Sequence, residues 1–244
     1  MSQDDSSRFK RAFGRSRVFL PVIHPISEEI ALKSIETAIK AGADGIFLIN
    51  QGMSTYEVLA LIPEVHLRYK SLWIGINLLG SAPEEVIGLV ADLPVSGIWS
   101  DNADIDEKSN RQEQPAGKRF QEAREKIGWH GIYFGGVAFK YQRKIPETLL
   151  PAAARNASPW MDVITSSGAG TGYAASVEKA KDLRAGAGRH PLCLASGISS
   201  DNVTGFLPYV NCFIVATSIE IDFGVLSEEK TKLLCDIIHK WSDK

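Results

Sequence analysis

Three segments combine glycine with serine or threonine immediately after short apolar runs. They are Ser167-Gly168-Ala169-Gly170-Thr171-Gly172, Ala195-Ser196-Gly197-Ile198 and Ala216-Thr217-Ser218-Ile219. Glycine lets backbone N–H groups come close to a ligand, and the start of a following helix adds partial positive charge, so such loops suit an anion. The expected cradle is Ser167, Gly168, Gly170, Thr171, Gly172, Ser196, Gly197, Thr217 and Ser218. Tight turns that need positive φ would explain the glycines but not the hydroxyls beside them.

Groups able to move protons or carry charge lie mostly earlier in the chain. Asp101, beside Asn102, follows the apolar run Gly97–Trp99 and suits a general base or a hydroxyl partner; capping its own loop is the plain alternative. Lys140, in Val-Ala-Phe-Lys-Tyr, could neutralise developing negative charge, with Arg143 and Lys144 close enough to serve instead; a snorkelling surface lysine is the competing reading. His24 precedes Pro25 and is either an acid–base residue or a hydrogen-bonded rim residue. Asn50, Asn77 and Asn102 carry no charge and are expected to orient a substrate through hydroxyl or carbonyl contacts. Asp104 and Asp106 follow Asp101 at a spacing that could chelate Mg²⁺, although acidic loops are commonly just solvated, and no metal or other cofactor is assigned. His66, His130, His190 and His239 fall on helices or where strands begin and are set aside. No Gly-x-Ser-x-Gly elbow and no P-loop occurs, which counts against hydrolase and nucleoside-triphosphatase readings.

These residues share a position: each follows a short apolar run. The runs are Val18–Ile23, Gly45–Ile49, Leu72–Ile76, Gly97–Trp99, Gly131–Phe134, Met161–Ile164, Leu192–Ala195 and Phe213–Val215. Rich in β-branched and aromatic residues and lacking alternation, they read as parallel strands buried on both faces. Amphipathic helical stretches lie between them, as in Ile30, Leu32, Ile35, Ala38 and Ile39 behind Ser27, Glu28 and Glu29. The last such stretch holds Leu233, Leu234, Ile237, Ile238 and Trp241. The repeated unit predicts an α/β fold, a single (β/α)8 TIM barrel over 18–244, close to the ~250 residues usual for one. An open doubly wound sheet would want GxGxxG after the first strand, where the chain has His24-Pro25-Ile26-Ser27. In a barrel, strand C-termini face one pocket, which is why polar residues there draw functional attention. The irregular stretches 101–114 and 135–144 fall on that same rim, where a lid would be.

Composition sets outer bounds. The 244 residues are 44% hydrophobic and 23% charged with a formal net charge of −2, so neither nucleic acid nor an anionic membrane is an expected partner. No apolar run is long enough to span a bilayer, and the first residues lack the apolar stretch of a signal peptide. Residues 1–17, with Asp4, Asp5, Arg8, Lys10, Arg11, Arg15 and Arg17 among serines, are expected to form a solvated tail or a helix leading into the barrel. Cys193, Cys212 and Cys235 are odd in number, and the first two sit in apolar runs, as core thiols of a reduced, cytoplasmic protein would. Trp129, Trp160 and the loop around Tyr141 could contribute to a homo-oligomer interface or pack on the barrel.

Thr-Ser-Ser-Gly-Ala-Gly-Thr-Gly (165–172), Ala-Ser-Gly-Ile-Ser-Ser-Asp-Asn-Val (195–203), Val-Ala-Thr-Ser-Ile (215–219) and Val-Ile-His-Pro (22–25) resemble the BtpA-like family of barrels, named for a member linked to photosystem I biogenesis. The segments 100–106 and 135–142 look like those of a distinct subgroup. That resemblance implies a phosphate-binding barrel, related to isomerases and lyases of sugar phosphates in tryptophan and histidine biosynthesis, without fixing a reaction. The expectation is therefore an enzyme on a small phosphorylated metabolite, of sugar-phosphate or nucleotide-like type. Its phosphate would sit at the last three loops, with isomerase, lyase or glycosyl-transfer chemistry over the earlier ones. Asp101 would be the base, Lys140 would stabilise charge, and Asn50 and Asn77 would orient the ligand. The alternative is a non-catalytic assembly or regulatory barrel that binds a protein or metabolite at the same place.

Overall fold

Residues 6–242 are described by the computed structural model; residues 1–5 of the expected tail, and 243–244, lie outside the described residues. The apolar runs form eight parallel strands: β1 (Val18–Ile23), β2 (Ile46–Ile49), β3 (Ile74–Asn77), β4 (Gly97–Ser100), β5 (Ile132–Gly136), β6 (Val163–Ser166), β7 (Leu192–Ala195) and β8 (Cys212–Val215). Each pairs with the next, and β8 returns to β1 with Val18 opposite Cys212, closing the barrel. The chain is a single (β/α)8 TIM barrel.

Every strand residue is buried because one set of side chains fills the barrel and the other meets the helices. Leu20, Val22, Phe47, Ile49, Trp99, Phe134, Cys193 and Ile214 belong to the inner cluster, while Phe19, Ile23, Leu48, Ile76, Ile98 and Phe213 belong to the outer one. Gly75 makes room for an aromatic inner layer: a Cβ there would lie 2.4 Å from the Phe47 ring.

The surrounding helices begin and end on local signals. Helix α1 is Ser6–Phe13, and α2, Glu28–Ala41, starts on Ser27, whose hydroxyl accepts the Ile30 N–H, and stops at Gly42 in the left-handed region. Next come α3 (Thr55–Arg68), α4 (Pro83–Val90), α5 (Pro115–Ile127), α6 (Leu150–Ala157), α7 (Val177–Ala187), α8 (Val203–Phe206) and α9 (Glu228–His239). Helices α6 and α7 cross at Gly186, where a Cβ would meet the Pro151 carbonyl oxygen at 1.9 Å.

The expected tail is, from Ser6 on, a helix that packs beneath the barrel. Phe9 is 4% exposed and joins the inner cluster, Phe13 packs at a tilt against Trp73 with ring centres 5.1 Å apart, and Arg8 pairs with buried Asp162 at 2.9 Å. All three cysteines are buried free thiols. Among the described residues no helix is long and apolar enough to cross a membrane. Trp129 is buried beside Arg124, and Trp160 donates its indole N–H to the Arg111 carbonyl at 2.9 Å, so both pack on the barrel.

Between β8 and α9 the chain makes a small hairpin of β9 (Glu220–Asp222) and β10 (Val225–Leu226), turning at Gly224 with φ +80°. It lies over the start of the β1 loop, for a Cβ on Gly224 would come within 2.5 Å of the His24 carbonyl oxygen.

Candidate ligand site at the barrel mouth

The C-terminal end of the barrel opens into a cavity of about 410 Å³. Val22, Ile49, Trp99 and Ile214 from the strands line it together with His24, Lys140, Thr171, Gly172, Ser196, Gly197, Thr217 and Ser218 from the loops. Gln51, Tyr173, Ser199 and Asn202 also reach it, and none of the lining residues is a carboxylate. Lys140 is the only lysine or arginine among them.

The three glycine-rich loops are tied into one unit by their own hydroxyls. Ser196 Oγ accepts the Gly172 N–H at 3.1 Å and donates to the Gly170 carbonyl at 3.2 Å, which joins the β7 loop to the β6 loop. Ser218 Oγ donates to the Ile198 carbonyl, which joins the β8 loop to the β7 loop. Asn202 holds the β7 loop from below through the Gly197 carbonyl and the Ser199 N–H. Ser196 and Gly197 are both left-handed, at φ +86° and +70°, and a Cβ on Gly197 would strike Ala174 N at 2.1 Å. A serine held there is a strained residue fixed by its surroundings.

The hydroxyls of Ser196 and Ser218 are therefore spent on the scaffold, and backbone amides join Lys140 and the Thr217 and Ser199 hydroxyls as the donors left over. Among the described residues, the N–H groups of Gly197, Ile198, Thr217 and Ser218 donate to no protein acceptor outside their own helical turns. Long helix starts do not supply the positive potential expected there: α8 has four residues, and Thr217–Ile219 is a single 3₁₀ turn. What the loops offer instead are backbone amides without a protein acceptor, at the left-handed bend of Ser196 and Gly197 and in the Thr217–Ile219 turn. Ser167 and Gly168 lie deeper, where the Ser167 hydroxyl accepts the Lys140 N–H at 2.8 Å, and neither lines the cavity.

Lys140 hangs over this cradle. Its Nζ donates to Thr171 Oγ1 at 3.1 Å, and Phe139 beside it turns inward onto Trp99 at 5.9 Å between ring centres. Left-handed Ala138 (φ +49°) and Tyr141 (φ +59°) make that inward turn. Arg143 is committed elsewhere, paired with Glu107, and Lys144 faces a separate groove. Lys179, which the sequence reading missed, donates at 2.6 Å to both the Ala138 and Ser167 carbonyls, and burial pulls its ammonium down to about 8. It has no carboxylate partner among the described residues and staples the β5 loop to the β6 loop.

Asp101 and the asparagines sit to one side. Asn77, 2% exposed, donates to Asp101 Oδ1 at 3.1 Å. Burial raises the Asp101 carboxyl, while Asn77 and Lys140 pull it down. These two residues, with Asn102, border a second cavity of about 590 Å³ between β3, β4 and α5 rather than the mouth itself. Asn50 braces loops: its Oδ1 accepts the Leu79 N–H at 2.6 Å, and its Nδ2 reaches Thr55 Oγ1. Asn102 Oδ1 accepts the Asp104 N–H at 2.9 Å. Among the described residues no three histidine, cysteine or acidic side chains gather as a metal site, and the Asp106 carboxylate serves Ser109 and the Lys108 N–H.

The long loop 101–114 is pinned. Gln114, fully buried, exchanges hydrogen bonds with Asp106, and Asn156 donates to the Asp106 and Ser109 carbonyls.

His24 reaches the mouth from β1. It is 8% exposed, its Nδ1 lies 2.8 Å from Glu220 Oε1, and its ring stacks on Phe223 at 4.7 Å. Glu220 and Phe223 belong to the hairpin that the sequence reading passed over; Asp222-Phe223-Gly224, a turn flanked by Ile221 and Val225, was the signal available.

No family model matches the chain, and no curated protein matches it. Solved structures do. Phosphoribosyl anthranilate isomerase from Thermus thermophilus superposes with a TM-score of 0.60 at 18% identity, over 90% of this chain and 96% of that one. Tryptophan synthase from Mycobacterium tuberculosis gives 0.65 at 11% identity, over 98% and 99%. A structure described as native KDPGal gives 0.61 at 16% identity, over 91% and 92%. At these identities the likeness is one of fold.

Proposed function

We propose that the protein is an enzyme acting on a small phosphorylated metabolite, of sugar-phosphate or nucleotide-like type, held at the barrel mouth. One observation carries this reading. A cavity with free amides at Gly197, Ile198, Thr217 and Ser218 and a lysine above them is lined by no carboxylate. Such a site favours a multiply charged oxyanion, which takes amide donors and a point charge together. The position after β7 and β8 is where barrels often hold phosphate. The resemblance to BtpA-like barrels and the enzymes among the structural neighbours agree with the reading, although a shared fold carries no activity by itself. The three buried free thiols fit a reducing compartment such as the cytoplasm.

The chemistry is proton transfer of the isomerase or lyase kind, or glycosyl transfer. Lys140 faces developing negative charge, with Asp101 and Asn77 beyond it toward the second cavity. A non-catalytic binding barrel is the competing reading, and the place of Asp101 outside the mouth favours it.

Thermal-shift titration against inorganic phosphate, sugar phosphates and nucleotides, each beside its unphosphorylated counterpart, tests the anchor. A ligand at a hundred times its Kd should stabilise by about 2.7 kcal/mol. Shifts confined to phosphorylated compounds and weakened in Lys140→Met support the reading, and no shift with any of them overturns it.

A further inference from the structure

We infer that His24 is the base that takes a proton from the bound ligand, and that Glu220 positions it for that task. The inference rests on the anion site proposed above. A carboxylate only accepts hydrogen bonds, so the 2.8 Å contact from His24 Nδ1 to Glu220 Oε1 places the proton on Nδ1. Nε2 then carries the lone pair, and among the described residues it meets no protein donor. His24 lines the mouth cavity with Lys140 and the free amides, so that lone pair belongs to a ring bordering the proposed anion.

Three further contacts fix the dyad. Glu220 Oε1 also accepts the Gly224 N–H at 3.1 Å, and the carboxylate is 9% exposed. Phe223 covers one face of the imidazole at 4.7 Å. Lys230 Nζ donates to the Glu220 carbonyl at 3.0 Å, which holds the hairpin against α9. A buried carboxylate that orients a histidine and balances the imidazolium formed on proton uptake is a recurring arrangement for general bases. Asp101 borders the second cavity, on the far side of Lys140 from this dyad.

The substrate class this arrangement suits is a phosphorylated carbonyl compound whose adjacent carbon carries both a proton and a hydroxyl. His24 Nε2 takes that proton, the C–H electron pair moves into the carbon–carbon bond as the carbonyl becomes an enolate oxygen, and the Lys140 ammonium faces the new charge. No electron leaves or enters the system. The proton of the adjacent hydroxyl passes to the enolate oxygen, and return of the carbon-bound proton from His24 to the former carbonyl carbon leaves the carbonyl on the neighbouring carbon, which completes an isomerisation. Glu220 acts through His24 and touches no ligand.

A bromoketone phosphate tests both residues. Its phosphate seeks the amide cradle, and His24 Nε2 displaces bromide from the carbon beside the carbonyl, forming one N–C bond as one C–Br bond breaks. Peptide mass spectrometry should find the label on His24, and inorganic phosphate should suppress it. In Glu220→Gln, labelling should slow about tenfold while the phosphate thermal shift is unchanged. Imidazole ¹⁵N spectra should show the Nδ1–H form in the wild type and its loss in Glu220→Leu. Phosphate stabilisation with an unlabelled His24 would sink this inference and leave the anion site standing. Labelling of His24 that phosphate does not suppress would sink the anion site. Equal labelling rates in wild type and Glu220→Gln, with the same ¹⁵N pattern, would remove Glu220 from its role.

Discussion

The hydroxyl of Ser196 accepts the amide of Gly172 at 3.1 Å from a backbone that is itself left-handed, at φ +86°. One residue thus carries strain and a loop-to-loop tie together. Substitution separates the two effects. Ser196→Ala keeps the strain and loses the tie, whereas Ser196→Gly loses the tie and releases the strain, worth about 1 kcal/mol for a residue with a Cβ in that region. Urea denaturation should therefore rank Ser196→Gly above Ser196→Ala by about 1 kcal/mol. Both should bind phosphate more weakly than the wild type, since the tie sets the spacing of the β6 and β7 loops. Equal stability of the two variants would show that the left-handed backbone costs nothing there.

Asp101 is expected to cost the fold stability at neutral pH. Burial raises its carboxyl, so the unfolded chain ionises more readily than the folded one. A raised carboxyl contributes stability below its unfolded value, and that contribution is lost as pH rises through the folded value. At neutral pH the folded protein carries that cost. Asp101→Asn removes the charge and still offers an oxygen to the Asn77 amide 3.1 Å away. The variant should have a higher Tm than the wild type at pH 7, and the gain should shrink as the pH falls toward 3. A lower Tm at pH 7 would mean that the ion interacts with Lys140 strongly enough to outweigh its desolvation.

Much of the fold was legible because a barrel repeats its signal. Each strand is an apolar run buried on both faces, and eight such runs separated by amphipathic stretches leave few architectures. The rim loops were legible in part, since glycine beside serine after a strand is informative wherever it falls. Pairing across loops was not. Nothing local in Glu220 says that it meets a histidine 196 positions earlier. Ser196 and Ser218 looked like ligand contacts because hydroxyls serve ligands and scaffold equally well, and only tertiary geometry shows that theirs are used on neighbouring loops. Asn77, expected to orient a ligand, ends β3 nearly buried and turned toward Asp101 beside the second cavity, a placement that no local sequence signal gives. The contribution of Ser6–Phe13 was hidden by its charge: a serine- and arginine-rich segment looks solvated until Phe9 and Phe13 find the barrel's open end.

Lys179 makes a prediction with the opposite sign from Asp101. Its ammonium falls to about 8 because it is buried among carbonyls without a counter-charge. The folded protein therefore releases this proton at lower pH than the unfolded chain does. Stability from this group is fully present above the unfolded value, near 10.5, and is lost as pH falls through about 8. Lys179→Met should flatten the rise in wild-type Tm between pH 8 and 10, measured as the difference between the two proteins so that other titrating groups cancel. The same variant strands the Ser167 carbonyl, leaves the Ala138 carbonyl only the Ser166 hydroxyl, and should make the β5 loop more open to proteolysis after Lys140. Parallel Tm curves for the two proteins across that range would show that the ammonium is solvated.

The two ends of the barrel should respond separately to substitution. Phe9 closes the end opposite the mouth, 4% exposed in the inner cluster, with the Phe13 ring packed at a tilt against it at 5.1 Å and against Trp73 beyond. Truncation to alanine removes a buried ring and leaves a cavity that the rigid strand ends cannot fill, at a cost of about 3 kcal/mol. From α1 to the mouth the path runs through packed rings, Phe13 to Trp73 to Phe47 and then to Trp99, which lines the cavity. Phe9→Ala should unfold at a lower urea concentration yet, while folded, keep the wild-type Kd for whichever phosphorylated compound stabilises the parent. Loss of ligand affinity in step with stability would mean that the aromatic layer transmits packing changes from the base of the barrel to its rim, and that α1 helps to set the shape of the site.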